Sequence, residues 1–189
     1  MRTLTIASIF ALSTLPAFAS DYQAAMAGYL ETNIRSWAQS QVLVDAISSQ
    51  NGETNAMAQA DVDALDLQWR ADVGTGDSAL INDVLNNAAA DFLRAQVEAS
   101  GGRITEVFIM DAQGLNVAAS GTTSDMWQGD EAKFQKTYSV GSDAVHFGEV
   151  ELDESSRRYQ AQISLTIVDA ESGAAIGAMT VGVDADSLM

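Results

Sequence analysis

Ile104-Thr105-Glu106-Val107-Phe108-Ile109-Met110-Asp111-Ala112-Gln113-Gly114-Leu115-Asn116-Val117-Ala118-Ala119 is the stretch on which the reading of this chain turns. Before it, apolar residues recur every three or four positions; from here on they recur every two. Ile104 to Met110 reads as a strand, apolar on both faces at Val107, Phe108, Ile109 and Met110, and such a strand is normally covered on both sides. Asp111 to Gly114 reads as a turn, because Asp hydrogen-bonds the nearby backbone and Gly accepts positive φ. Leu115 to Ala119 returns as the second strand.

Downstream, residues 120–138 are irregular and then helical from Asp130 to Tyr138. Val145 to Leu152 is a third strand, and Asp153 to Arg157 is a polar hairpin loop. Tyr159, Ala161, Ile163, Leu165 and Ile167 alternate with polar residues, which predicts a fourth strand with one buried and one wet face. Asp169 to Gly173 turns the chain into a fifth strand, Ala175 to Val183.

Upstream, Met26, Leu30, Ile34, Trp37, Val44 and Ile47 predict one helix over residues 21–49, about 40 Å long at 1.5 Å per residue and ended by Asn51-Gly52. A second helix is expected over 56–71, with Val62, Leu65 and Trp69 on one face. A third, capped by Asp77 or Ser78, carries Ile81, Val84, Leu85, Ala88, Phe92 and Val97 as far as Ser100-Gly101-Gly102. Helices followed by five hairpin-connected strands make an α+β chain, an antiparallel sheet packed against a helical layer. The helical region covers 20–102 and the sheet region 103–189, together one domain.

Residues 1–19 have the order of a cleavable signal peptide: Arg2, an apolar run from Leu4 to Leu15, Pro16, and the small-x-small site Ala17-Phe18-Ala19. The run is too short to span a bilayer. The mature protein is expected to begin at Ser20, in the periplasm or, after full secretion, outside the cell. The chain has 9 basic and 26 acidic residues, a formal charge of −17, and loss of Arg2 would make it −18. That charge repels nucleic acid and anionic lipid. The absence of cysteine excludes disulfides, thiolate metal sites and cysteine nucleophiles.

The 104–119 stretch, followed by Thr123-Ser124-Asp125-Met126-Trp127-Gln128-Gly129-Asp130-Glu131 and by the closing segments Ser164-Leu165-Thr166-Ile167-Val168-Asp169 and Gly177-Ala178-Met179-Thr180-Val181-Gly182-Val183, resembles the Cache (PDC-type) sensor domains. These are extracytoplasmic relatives of PAS domains. The resemblance runs over about residues 21–187. It implies a PAS-like sheet with one ligand pocket between the sheet and the excursion after the second strand. Family members are usually the outer part of a membrane receptor, whereas here the sequence stops after the last strand, so a separate membrane receptor or transporter is the expected partner. The aromatic–Arg–Asp signature of the amino-acid-binding double modules is not found.

Asp125, Trp127, Asp130 and Glu131 form the best candidate site. An indole beside carboxylates suits an ammonium group, through cation–π attraction and charge pairing. The bland alternative makes Trp127 a plug between helix and sheet, with Asp125 or Asp130 as a helix cap. Calcium would also favour such carboxylates, but the spacing is not that of an EF-hand. Tyr138, four residues from Phe134, is a pocket or core residue. Asp111 is a turn former that would face a cationic ligand if the pocket opened there. His146 is a structural or pocket-lining residue; as the only histidine it argues against a zinc site. Arg157 and Arg158 read as surface partners of Asp153 and Glu154. No nucleophile motif is present and no cofactor is called for, so an enzyme is not expected.

The leading expectation is thus an exported sensor module that binds a small molecule, with a cationic one as the candidate for the Asp125–Trp127 site, and acts through a membrane partner. The alternative is a structural interaction module that pairs two copies through the Met26–Leu30–Ile34–Trp37–Val44 face.

Overall fold

A computed structural model describes residues 18–76, 78–152 and 158–189. The signal-peptide reading and the 153–157 loop, with Arg157, Asp153 and Glu154, therefore lie almost wholly outside the described residues, as does Asp77. Five strands, β1 (Ile104–Met110), β2 (Asn116–Ala119), β3 (Val145–Leu152), β4 (Tyr159–Val168) and β5 (Ala175–Asp184), form one sheet in the order β2-β1-β5-β4-β3. Every neighbouring pair is antiparallel. The fold is α+β with a PAS-like sheet, as the sequence predicts.

The double-sided apolar character of β1 is explained by two separate cores. Val107 and Ile109 point into a cluster with Leu30, Ile34, Leu43, Ile47, Ile163, Leu165, Met179 and Val181 under the N-terminal helices. Phe108 and Met110 point the other way, into a smaller cluster with Val62, Trp69, Leu115, Met126 and Phe134. The chain from 120 to 141 thus roofs the sheet's outer face.

The long helix of 21–49 is interrupted. It runs as α1 (Phe18–Tyr29), a π-helical turn over Leu30–Ile34, and α2 (Arg35–Ala38), and then stops before α3 (Gln41–Thr54). The cause lies at Gln39, whose amide donates to the Thr166 carbonyl at 3.0 Å and accepts from the Val168 N–H at 3.1 Å, so that it caps the end of β4. Asn51 does not end α3. Its side chain bridges Ile176 of β5 and Ala112 of the β1–β2 turn while the helix continues past Gly52.

The remaining helices are α4 (Gln59–Asp72), α5 (Ala79–Leu85), α6 (Ala88–Ala99) and α7 (Ala132–Gln135). The third predicted helix is two, because Asn87 caps α6 by accepting from the Ala90 N–H at 2.9 Å. Ser78 caps α5 in the predicted way.

Two further expectations are corrected. The Met26–Leu30–Ile34–Val44 face is the chain's own core, with Ile34 fully buried, and only Trp37 stays half-buried, edge-on to Phe92. The polar face of β4 is not wet: Gln160, Ser164 and Thr166 are buried. Ser164 and Thr180 share a 3.0 Å hydrogen bond, and Thr166 Oγ1 donates to the Gly141 carbonyl of the roof. Among the described residues no helix is long and apolar enough to cross a membrane.

Candidate functional site

Between the outer face of the sheet and its roof lies a cleft of about 900 Å³. Its position follows from strand register. Phe108 pairs with Thr180, Thr180 with Ser164, and Ser164 with His146, so these four form one row across the outer face. α7 covers that row. Two residues further along β4 the row is Glu106–Gly182–Gln162, and beyond it Gln160 pairs with Glu151. A bulge between Phe147 and Val150 sets Gly148 and Glu149 opposite Gln162. These lower rows are the open floor.

Lys133 is the best-held charge in the cleft. Its ammonium donates to Gln128 Oε1 at 3.0 Å, pairs with Glu131 at 3.0 Å and sits 5.3 Å from the centre of the Phe108 ring. Gln128 is itself buried and donates to the Asp125 carbonyl. Lys136 lies near His146, whose pKa is pushed below its ordinary value, first by burial and then by the Lys136 charge. At neutral pH the imidazole is therefore neutral.

Of the seven residues singled out from sequence, Glu131 and His146 line this cleft. Asp111 is fully buried and saturated: Oδ1 accepts from the N–H groups of Gln113 and Leu115, each at 2.9 Å, and Oδ2 accepts from Gln50 and Thr54. With Gly114 at φ +83°, it ties the β1–β2 turn to α3. Trp127 donates from its indole to the Gln113 carbonyl at 2.8 Å and lies against Gly129 and the same turn. Asp125 pairs with Arg70 at 2.8 Å, and Arg70 also holds Asp66. Asp66 in turn accepts from the N–H groups of Met126 and Trp127, each at 3.0 Å. These contacts clamp the roof to α4.

Asp130 is exposed, and neither it nor Asp125 caps α7, which starts after Glu131 without a side-chain cap. Tyr138 stacks on Phe134 with ring centres 5.1 Å apart. Arg158 pairs with Asp184. No group of three or more His, Cys, Asp or Glu among the described residues is arranged to hold a metal.

Sequence reasoning missed Lys133, Lys136, Gln128, Gln160 and Gln162. The lysines stand three residues apart just after Glu131 and look like a solvated helical face. The two glutamines occupy the alternate positions of β4 that alternation alone assigns to water.

No family model matches the chain, and no curated protein matches it in sequence. Solved structures do. The ligand-binding domain of the Campylobacter jejuni chemoreceptor Tlp3, in complex with L-valine, matches with a TM-score of 0.44 and 13% identity, over 93% of this chain and 66% of that one. The sensor domain of the V. cholerae histidine kinase DctB matches with a TM-score of 0.36 and 12% identity, over 88% of this chain and 58% of that one. An extracellular ligand-binding receptor from Desulfohalobium retbaense matches with a TM-score of 0.41 and 13% identity, over 80% of this chain and 26% of that one. The first two are the ligand-binding domain of a chemoreceptor and the sensor domain of a histidine kinase, the class the sequence resembles. The chain spans less than two thirds of each, and the fold itself rests on the strand order and register above.

Proposed function

We propose that this chain is an exported, periplasmic or secreted sensor module that binds a small molecule in the cleft beneath the 120–141 roof. The single observation that carries the reading is that cleft, with a lysine held in place at one end, a neutral histidine on the wall and carboxamides on the floor. Clefts of this size with a few oriented polar groups are the usual form of a small-molecule site.

Of the residues foreseen from sequence, His146 is the proposed ligand contact and Glu131 the partner that holds Lys133 in the cleft. Asp125, Trp127 and Tyr138 hold the roof, Asp111 fixes the β1–β2 turn to α3, and Asp130 stands at the roof's surface. A bound molecule touching both sheet and roof would alter how the roof sits. The clamp of Asp66 and Arg70, joined by the Trp69 indole donating to the Thr123 carbonyl at 2.9 Å, would carry that change to α4, where Leu67 is exposed. A separate membrane receptor or transporter is the proposed recipient. No catalytic step is proposed.

The test is a thermal-shift screen of the chain against amines, organic acids, amino acids, purines and divalent cations. A ligand at a hundred times its dissociation constant adds about 2.7 kcal/mol, a rise on the order of 5–10 °C for a domain of this size. The hit should be weakened by Thr122→Trp at the exposed rim of the cleft. A hit that survives cleft substitutions unchanged would place binding elsewhere and sink this reading.

A further inference from the structure

Apart from Glu131, which pairs with Lys133 at the cationic end, the charges in the cleft are sorted by position, and the register sets their separation. Lys133 and Lys136 stand over the Phe108–Thr180–Ser164–His146 row. Glu149 and Glu151 flank Gln162 and Gln160, two and four residues further along β4. At about 3.3 Å per residue, the cationic and anionic ends are roughly 7–13 Å apart. Among the described residues, the side chains of Glu149, Glu151 and Gln162 have no hydrogen-bonding or ion-pair partner. Gln160 is engaged with Glu106 at 2.9 Å. Lys133 uses two of its three N–H groups on Gln128 and Glu131.

Resting on the cleft as the binding site, we infer that it takes an extended dipolar molecule, with a carboxylate or similar anion under Lys133 and Lys136 and an ammonium at Glu149 and Glu151. A molecule with its two charges on adjacent carbons reaches one end only. An uncapped short peptide or a long ω-amino acid reaches both, with its middle over Gln162 and Gly148. This accommodates the cationic group expected from sequence but assigns it to β3, not to Asp125 and Trp127. The roof supplies the anion-binding end, so a ligand engaging both ends joins the roof to the floor.

The experiment uses the chain and a series of probes: glycine through pentaglycine, ω-amino acids of rising chain length, N-acetyl-triglycine and triglycine amide. Binding is measured by calorimetry, and occupancy of the cleft by the NMR signals of His146, the only histidine in the chain. Affinity should peak where the charges are about 10 Å apart, near triglycine at roughly 3.4 Å per residue. It should fall roughly tenfold or more when either charge is capped, the loss expected for one charge-assisted hydrogen bond. E149Q/E151Q, at exposed positions, should abolish the preference for a free ammonium, and Lys136→Met should weaken that for a free carboxylate. A peak in both series identifies the dipole as what is read; a peak in the glycines alone identifies a peptide. His146 signals that move with no length optimum would overturn the dipolar inference and leave the cleft standing. Signals unmoved by every probe would also overturn the dipolar inference, and the cleft itself then stands or falls on whether a thermal-shift hit of another class moves them.

Discussion

Glu106 and Gln160 sit on strands that are not neighbours, yet Gln160 Nε2 donates to Glu106 Oε1 at 2.9 Å across the intervening β5. Gly182 makes this possible. A Cβ there would stand 2.6 Å from Thr105 Oγ1, 2.8 Å from Glu106 Cγ and 2.9 Å from Gln160 Oε1. The buried Gln160 also accepts from Thr105, so the floor of the cleft is fixed by three side chains meeting over one glycine. Gly182→Val should cost about 1–3 kcal/mol and lower the melting temperature, with the loss read by chemical denaturation. Unchanged stability would mean the three side chains are not packed over β5 as described.

Asp111 offers a sharper test of turn against pocket. Its carboxylate satisfies two backbone N–H groups, a hydroxyl and a carboxamide while fully buried. Asp111→Ala leaves those donors unpaired and should cost roughly 3 kcal/mol or more. Ligand affinity in the surviving folded fraction should be unchanged. A variant of normal stability that loses binding would move Asp111 from the scaffold into the site.

Element types were legible wherever one periodicity ruled. β1, β3 and β4 stand at their predicted positions: the alternation of β4 is a local property of a pleated strand, and β1 is a short apolar run closed by its turn. Interruptions of the helices were not legible, since Gln39 leaves the helix for the edge of β4, more than 120 residues away in sequence. Asn51 looked like a helix stop for the same reason: its side chain serves the sheet, and only the assembled fold reveals that. The site was least legible. Trp127 and Asp125 attract attention by residue type, but they hold the roof from outside. Gln160 and Gln162 line the floor from positions that local alternation cannot distinguish from solvent.

Ile34 decides whether the N-terminal helix serves this chain or a second copy. It is fully buried among Leu30, Leu43 and the sheet. Ile34→Ala should cost about 2–5 kcal/mol, and Ile34→Asp should prevent folding, as seen by circular dichroism. A folded, monomeric Ile34→Asp chain would restore the pairing role of this face.

His146 gives the cleft a pH signature whose sign is set by the fold. Its pKa lies below the ordinary value of about 6.5 because burial disfavours the imidazolium and Lys136 repels it. The unfolded chain therefore binds the proton more readily than the folded one. This contribution is absent above about pH 6.5 and becomes a growing penalty as pH falls from there towards the folded-state pKa. Carbon-bound proton shifts of His146 should titrate with a midpoint below 6.5. Lys136→Met should raise that midpoint towards the ordinary value without restoring it fully, since burial is the larger cause. An anion under Lys133 and Lys136 should raise it too, by neutralising the same charge. A midpoint at or above 6.5 in the free chain would contradict the placement of His146 beside Lys136 on the covered row of the sheet.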